Sequence, residues 1–184
     1  EKVLFDKASK KIKTIILRPS NIFGPHMKNQ SLKDMCHSIY KGRFIFIGKK
    51  GASANYLYID NLLKSIIKVI ETPNQNSNNI EIFNLNQNIT MEEFVYAILQ
   101  KNKSFLRLPY LFVYFLTYVA DILTNIIKIK FPLTRSRVEA LTSHVNFTQS
   151  KFDSYYGYRH QTSIEDGIKE CLDVWQIAAE EDTK

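Results

Sequence analysis

The sequence contains few cysteines and no complete catalytic motif. Its 184 residues include two cysteines, Cys36 and Cys171. This number excludes a disulfide scaffold and any four-cysteine metal cluster, and it favours a reducing compartment. None of the 10 tyrosines belongs to a Tyr-x-x-x-Lys pair, and no Gly-x-Ser-x-Gly segment occurs. The residues of this chain therefore do not form a complete catalytic centre by themselves.

A glycine-rich phosphate-binding turn is also missing. The one candidate is Gly48–Ala54, but an extended pattern follows it, whereas phosphate binding requires the N-terminus of a helix there. The segment predicts a hairpin turn instead. The four histidines lie far apart without metal-ligand spacing, so we expect no metal site and interpret each one as a surface or packing residue: His26, His37, His144 and His160.

Long apolar runs are absent. The longest begins at Leu108 and stops at Asp121, which is short of the ~20 apolar residues that a spanning helix needs. It predicts a buried or interfacial helix rather than a membrane span. No signal-peptide pattern is visible at the N-terminus. Together with the low cysteine content, this favours a cytoplasmic location.

Positive charge exceeds negative charge, with a formal net charge of +7 and a pI of about 9.3. Such an excess fits anionic partners, including the phosphates of a nucleotide. The basic residues are dispersed, however, and only Lys7–Lys13 forms a run. We interpret that run as a solvated helix end and do not expect nucleic-acid binding.

Short apolar runs alternate with amphipathic stretches, which predicts an α/β fold. Thr14–Leu17 is a β-branched run, typical of a strand buried on both faces of a parallel sheet, and Ser20–Pro25 reads as a loop. Further strands are predicted at Arg43–Gly48, Tyr56–Ile59 and Ile80–Leu85. Helices are predicted at the following places: up to residue 11, Leu32–Tyr40, after Asp60, after Thr90, Leu108–Ala120, up to about Leu141, and after Ser163.

Several of these helices carry clear end signals. Gly42 is positioned to end the helix before it, and Asp60 is predicted to be an N-cap. Thr90–Glu93 has the pattern of a capping box, and Ser163–Asp166 predicts a second helix start. The helix after Asp60 is predicted to bury one apolar face, made of Leu62, Leu63, Ile66, Ile67 and Ile70.

One segment resembles a known family. Thr14-Ile-Ile-Leu-Arg-Pro-Ser-Asn-Ile-Phe-Gly-Pro25 is similar to the LRPxNxYGP segment of extended short-chain dehydrogenases/reductases, the NAD-dependent epimerase/dehydratase family. Weaker features follow in the family's order: Phe44–Gly48, Tyr56–Leu62, Ile82–Leu85, Thr90–Glu93, Tyr156–Tyr158, Ser163–Ile168 and Trp175.

The resemblance implies that the chain is the C-terminal portion of such an enzyme. In the family, the Tyr-x-x-x-Lys helix directly precedes the LRP strand, so Glu1 would fall late in that helix. The implied fold is the C-terminal part of a Rossmann-like parallel sheet plus a small α/β substrate-binding region. The expected parts are 1–29 (catalytic helix end, late Rossmann strand and substrate loop), 30–79 (substrate-region helix, strands and return helix), 80–104 (last Rossmann strand and helix) and 105–184 (C-terminal substrate-binding helices).

The resemblance also implies a function. It predicts hydride transfer at a sugar carbon by an NAD(P)-dependent nucleotide-sugar epimerase or dehydratase, in which NAD or NADP is held mostly by residues outside this chain. The isolated chain is expected to be inactive, and the full-length protein is a candidate homodimer. The implied cofactor contacts are Pro19, Ser20, Asn21 and Ile22. The implied substrate contacts are Asn21, Ser31, Leu32, Ile45, Ile47, Tyr56, Arg135 and Arg137.

One departure from the family pattern leaves alternatives open. UDP-sugar members of the family carry an Arg-Asp pair before the tyrosine strand, where this chain has Ala54-Asn55. The missing arginine suggests that Arg135 or Arg137 holds the diphosphate, or that the substrate differs. The alternatives are a 3β-hydroxysteroid-dehydrogenase-like oxidoreductase with an apolar substrate and an inactive truncated binding remnant.

Overall fold

The computed structural model describes residues 13–28, 30–72, 80–100, 104–127 and 135–177. Seven strands lie in these residues: β1 (Thr14–Pro19), β2 (Asn21–Phe23), β3 (Phe46–Ile47), β4 (Ser53–Tyr58), β5 (Ile80–Leu85), β6 (Gln87–Thr90) and β7 (Arg107–Leu108). The same residues contain seven helices: α1 (Gln30–Tyr40), α2 (Ile59–Glu71), α3 (Met91–Leu99), α4 (Tyr110–Ile127), α5 (Arg135–Thr142), α6 (Ser150–Tyr156) and α7 (Ile164–Trp175).

The strands confirm the α/β class. β1 pairs with β5, β2 with β4, and β3 with β7, and all three pairs are parallel. The longest register runs from Thr14 opposite Ile80 to Pro19 opposite Leu85. The strand order β2-β4-β6 forms a three-stranded sheet. Parallel neighbours need crossover connections, which the intervening helices provide.

The chain divides into two compact units. The first draws on the segments Glu1–Gly24, Asn55–Asn88 and Phe147–Gly167, and the second on Pro25–Ala54, Ile89–Asn146 and Ile168–Lys184. The first unit holds the β1–β5 pair, and α6 packs against β5. Its aromatic-rich core consists of Leu57, Phe83, Leu85, Phe152, Tyr156 and Tyr158.

The second unit has its own core. Helix α1 packs against α3, and α5 contacts both α4 and β3. Ile47, Val113 and Val138 are buried together, with Leu108 and Leu141 packed against them. Arg107 pairs with Glu92 at 2.5 Å and lies over the Phe46 ring, which ties β7 to α3 and β3.

Most of the predicted helix ends are confirmed. Thr90 Oγ1 accepts a hydrogen bond from the Glu93 amide at 3.2 Å, and the Glu93 carboxylate accepts one from the Thr90 amide at 2.7 Å. Ser163 Oγ accepts a hydrogen bond from the Asp166 amide at 3.0 Å. Gly42 has a φ of +67° directly after α1, a conformation that glycine adopts without steric cost.

Four predictions about strands and their connections need correction. β1 continues through Pro19 and is only partly buried, and Asn21–Phe23, predicted as loop, forms β2. The strand predicted at Arg43–Gly48 is reduced to the two residues of β3. The hairpin prediction for Gly48–Ala54 is wrong, because β3 pairs with β7 and β4 with β2 and β6. Pairing partners distant in sequence decide these strands, so local pattern does not reveal them.

The predicted burial of α2 is also wrong. Leu63, Ile66, Ile67 and Ile70 are exposed, and Leu62 is only partly buried. The fully buried residues of the helix are Asn61 and Ser65. The N-cap is Tyr58 without a side-chain hydrogen bond, so Asp60 lies in the first turn and is not the cap. The polar contacts of Asn61, described below, fix this rotation of the helix.

The long apolar segment forms α4, which continues past Asp121 to Ile127. Between Tyr110 and Tyr118 most side chains are exposed, so the segment is not a buried helix. Among the described residues, no helix has the length and apolarity needed to cross a membrane. Helix α6 and strands β6 and β7 were not predicted. The predictions for residues 1–11 and for the Lys7–Lys13 run (Lys13 excepted) lie outside the described residues.

Candidate functional site

The candidate site in the first unit begins where β1 ends. The Ser20 amide donates to the Leu85 carbonyl at 2.9 Å, which extends the β1–β5 ladder by one bond. Asn21 then starts β2 opposite Tyr56. The carboxyl ends of parallel strands in α/β sheets are common ligand sites, because loops and open backbone groups gather there. The crossing from β1 to β2 therefore places Ser20 and Asn21 at such an end.

The predicted cofactor residues differ in exposure. Pro19, Asn21 and Ile22 are exposed, and Ile22 has 40% of its surface accessible. Ser20 Oγ is buried and forms no hydrogen bond with any described residue. An unsatisfied buried hydroxyl is uncommon in folded proteins. The crossing thus offers one hydroxyl and one exposed carboxamide to a polar ligand.

Tyr56 lies beside this crossing on β4. Its ring meets the buried Phe23 ring edge-on, with centroids 6.0 Å apart and planes at 83°. Phe23 also packs against Tyr58 at 5.3 Å. These aromatic contacts hold β2 against β4 and so fix the backbone position of Asn21.

A buried polar cluster follows β5, and the sequence analysis missed it. Asn86 Nδ2 donates to Asn55 Oδ1 and to the Phe147 carbonyl, each at 3.1 Å, and it also contacts Asn88 Oδ1. The Asn86 amide donates to Gln149 Oε1 at 3.0 Å. Asn86 Oδ1 forms no hydrogen bond with any described residue. The sequence signal for this cluster is the frequency of asparagine between residues 84 and 88, and that frequency does not indicate which side-chain amides are buried.

His160 belongs to the same cluster. Its Nε2 lies 3.3 Å from the Asn86 carbonyl, and its Nδ1 is buried with no hydrogen-bond partner among the described residues. Burial lowers the pKa of His160, while the hydrogen bond to Asn86 opposes that shift. The neutral imidazole can donate from Nε2 to the carbonyl and keeps Nδ1 as an acceptor. The prediction of a packing histidine agrees with this environment.

The position that departs from the family pattern lies next to this cluster. Ala54 is buried, with 1% of its surface exposed, and Asn55 accepts the hydrogen bond from Asn86. An alanine offers no charge to a phosphate, and the Asn55 carboxamide oxygen is already engaged within the protein. The two residues that replace the family's Arg-Asp pair therefore provide no charged group for a phosphate.

The other predicted substrate residues lie in the second unit. Ser31 and Leu32 fall in the first turn of α1, where Ser31 is exposed and Leu32 is buried. Ile45 is 39% exposed, whereas Ile47 is part of the buried core of that unit. Arg135 and Arg137 begin α5. The ligand contacts assigned to these residues stay predictions.

The cysteines offer no reactive or metal-binding centre. Cys36 and Cys171 are both free and buried, and burial raises the pKa of each thiol to about 12. A thiol with such a pKa stays protonated at neutral pH and is a weak nucleophile. Within the described part of the chain, no group of three or more metal-ligating side chains occurs.

The comparisons with known proteins support the sequence resemblance. Residues 4–85 match the model of the NAD dependent epimerase/dehydratase family. No curated protein matches the chain significantly.

Three similar solved structures illustrate the fold. UDP-glucose 4-epimerase from Thermotoga maritima, solved with UDP-glucose, is 14% identical with a TM-score of 0.57, and the match covers 97% of this chain and 50% of that one. RMD from Pseudomonas aeruginosa, complexed with NADPH, is 12% identical with a TM-score of 0.52 and coverages of 95% and 51%. dTDP-glucose 4,6-dehydratase from Bacillus anthracis, in complex with NAD, is 15% identical with a TM-score of 0.51 and coverages of 91% and 46%.

Two facts follow from these matches. The chain spans about half the length of the solved structures that it matches. At these identities the structural likeness shows the fold alone. This chain thus resembles the NAD dependent epimerase/dehydratase family, in sequence over residues 4–85 and in fold over nearly all of its length.

Proposed function

We propose that the chain is the C-terminal, substrate-binding portion of an NAD(P)-dependent nucleotide-sugar epimerase or dehydratase, an isomerase or oxidoreductase of the cytoplasm. The family match over residues 4–85 carries the proposal, because it includes the β1–β2 crossing and β4. The similar structures are covered over about half of their length, which agrees with a portion of such an enzyme.

The role proposed for this chain is binding. The exposed Asn21 carboxamide donates a hydrogen bond to a diphosphate oxygen of the nucleotide sugar. Ser20 lies one residue before it, and its hydroxyl, which has no hydrogen-bond partner in the described part of the chain, suits a polar ligand atom at the same crossing. Tyr56, which lies opposite Asn21 in the same unit, flanks the substrate. Taken by itself, the second unit has backbone N–H groups of the kind that bind phosphate in the first turn of α1, at Ser31 and Leu32.

The residues of the crossing also fit a nicotinamide cofactor. Pro19 and Ile22 are exposed next to the Ser20 hydroxyl, so apolar contact and a hydrogen bond are both available there. When bound, NAD or NADP would supply the acceptor for a hydride from a sugar carbon. In the family, a Tyr-x-x-x-Lys pair removes the proton from the sugar hydroxyl, and this sequence contains no such pair. We therefore expect no turnover from this chain alone.

A second candidate function is oxidation of an apolar substrate of the 3β-hydroxysteroid type. The observation that favours it is the buried Ala54 at the position where UDP-sugar members carry arginine. Losing a charged hydrogen bond to the diphosphate removes about 1.5–3 kcal/mol of binding energy. Arg135 or Arg137 at the start of α5 would have to replace it.

Ligand-induced thermal shifts distinguish these functions, because a ligand stabilises only the protein that binds it. We expect UDP-glucose or dTDP-glucose to raise the unfolding temperature of the chain, and a sterol to leave it unchanged. Asn21→Ala should weaken nucleotide-sugar binding by roughly tenfold to a hundredfold, the loss of one hydrogen bond to a charged group. Calorimetric titration would measure this change.

Gln161→Ala is the matched control, because Gln161 is another exposed carboxamide of the same unit without a proposed ligand. It should bind the nucleotide sugar as the unmodified chain does. A sterol shift without a nucleotide-sugar shift would overturn the proposal in favour of the apolar substrate. A folded chain that responds to neither ligand would favour the inactive remnant.

The gene sequence upstream of residue 1 gives an independent test of the enzyme class. We expect it to encode a glycine-rich dinucleotide turn and a Tyr-x-x-x-Lys pair. Their absence would remove the epimerase or dehydratase activity while leaving the binding measurement with Asn21→Ala informative.

A further inference from the structure

The first half of α4 exposes an apolar face. Between Tyr110 and Tyr118 only Val113 and Thr117 are buried, which leaves Leu111 with 79% and Phe115 with 61% of their surfaces accessible. We use the name α4 face for the exposed side chains on the opposite side of the helix: Leu111, Phe112, Phe115, Leu116 and Tyr118. Several large exposed apolar residues on one helix face indicate a binding surface.

The packing of the second unit fixes the direction of this face. Val113 is buried with Ile47 and Val138, and Thr117, one turn later on the same side of α4, is buried as well. Because the buried stripe is anchored in that core, the α4 face cannot turn inward without breaking it. The face is therefore a stable feature of the folded unit.

Tyrosines line one edge of the α4 face. Tyr110, Tyr114 and Tyr118 recur every four residues, so they follow one another along the helix. The rings of Tyr110 and Tyr114 stack with centroids 5.7 Å apart. Tyrosine has an apolar ring and a polar tip, which suits the boundary between a hydrocarbon layer and water.

The sequence that flanks α4 is basic. From residue 94 to residue 138 the sequence contains one acidic residue, Asp121, and seven basic residues: Lys101, Lys103, Arg107, Lys128, Lys130, Arg135 and Arg137. Arg107 is neutralised by Glu92. The other six basic residues flank the helix in sequence, which complements an anionic surface.

We propose that α4 docks on the surface of an anionic lipid bilayer, lying in the plane of the interface. Leu111, Phe112 and Phe115 enter the acyl boundary, the tyrosines lie at headgroup depth, and the basic flanks contact anionic headgroups. An acidic protein partner would also match an apolar face with basic flanks, but the row of tyrosines along one edge favours a bilayer interface, and the vesicle measurements below distinguish the two. The proposal does not depend on nucleotide-sugar binding.

Vesicle flotation tests the proposal with the full chain. We expect the protein to float with vesicles of phosphatidylglycerol and phosphatidylcholine, to bind pure phosphatidylcholine more weakly, and to dissociate as salt rises. The double variant Phe112→Glu, Phe115→Glu should bind the anionic vesicles about tenfold or more weakly than the unmodified chain. Lys128→Gln with Lys130→Gln should reduce the preference for anionic vesicles while leaving the α4 face intact.

Leu63→Glu with Ile67→Glu is the matched control. These residues form part of another exposed apolar helix face, on α2, and the substitutions add the same two negative charges. We expect this variant to bind vesicles as the unmodified chain does. Circular dichroism and thermal unfolding of each variant establish that binding is compared between folded proteins.

A direct measurement places the helix in the lipid. Phe115→Trp should show a blue-shifted emission with anionic vesicles and quenching by brominated acyl chains, beyond the signal of Trp175 in the unmodified chain. The proposal is overturned if the folded chain does not float, if both double glutamate variants lose binding equally, or if Phe115→Trp shows no quenching. It is also overturned if sedimentation shows a dimer that only Phe112→Glu with Phe115→Glu dissociates, because a second copy would then cover the face.

Discussion

At the scale of single residues, Asn61 organises the first unit. Its side chain is fully buried in α2, donates to the Thr162 carbonyl at 2.7 Å, and accepts from the amides of Gln161 and Thr162 at 3.2 Å each. Its carbonyl accepts from Tyr158 and Ser65. One carboxamide thus links α2 to a loop about one hundred residues later in the chain.

Removing this carboxamide should be costly. Asn61→Ala leaves the amides of Gln161 and Thr162 without their acceptor, while the Thr162 carbonyl keeps the hydrogen bond from Gln87 Nε2 at 2.9 Å. We expect the free energy of unfolding to fall by about 2–4 kcal/mol. Urea denaturation followed by circular dichroism would measure the change. Leu63→Ala, an exposed position on the same helix, should change it by less than about 1 kcal/mol. Equal losses in the two variants would contradict the role given to Asn61.

At the scale of elements, the start of α3 shows a helix end that is determined locally. Thr90 and Glu93 satisfy each other's backbone amides, and this contact with the Thr90 amide lowers the pKa of Glu93. Met91, Phe94, Val95, Ile98 and Leu99 are all buried behind the cap, as their spacing predicts. The predicted N-cap and the predicted buried face of α3 both match the structure, because each depends on residues within one or two helical turns of each other.

Thr90→Ala should remove the acceptor for the Glu93 amide. We expect the free energy of unfolding to fall by about 1 kcal/mol, the usual value of an N-cap side chain. Thr90→Ser keeps the hydroxyl and should retain most of that stability. Denaturant titration of the three proteins gives the comparison, and a Thr90→Ser loss as large as that of Thr90→Ala would show that the methyl group, rather than the cap, is responsible.

At the scale of the whole molecule, pH changes the balance between folded and unfolded chains through the two buried thiols. Burial raises the pKa of Cys36 and Cys171 from 9.0 to about 12. Above pH 9.0 the unfolded chain loses these protons while the folded chain keeps them. Their contribution to stability is therefore complete below that pH and is lost as the pH rises towards 12.

We expect the free energy of unfolding to fall between about pH 8 and about pH 10, and the fall to be smaller in a Cys36→Ala, Cys171→Ala variant. Urea denaturation at the two pH values measures the slope for each protein. Other groups titrate in this range, so the difference between the slopes is the quantity that tests the thiols. Identical slopes would mean that the thiols ionise equally easily in both states.

The sequence by itself determined the features that depend on near neighbours. The alternation of apolar runs and amphipathic stretches predicts the α/β class. The capping box at Thr90 and the segment Ser163–Asp166 predict two helix starts, and the segment from Thr14 to Pro25 carries the family resemblance. The exposure of Asn21 at the end of β1 agrees with the site that this resemblance implies, although the contacts of that site stay predictions.

Only the tertiary structure decided which faces are buried. The spacing of Leu63, Ile66, Ile67 and Ile70 marks an apolar face on α2 but not the direction in which it points, and the distant partners of Asn61 turn it outward. The cluster around Asn86 likewise joins segments some sixty residues apart. Hydrogen bonds and packing between distant segments outweigh local periodicity, because an unpaired buried amide costs more than an exposed isoleucine on a helix surface.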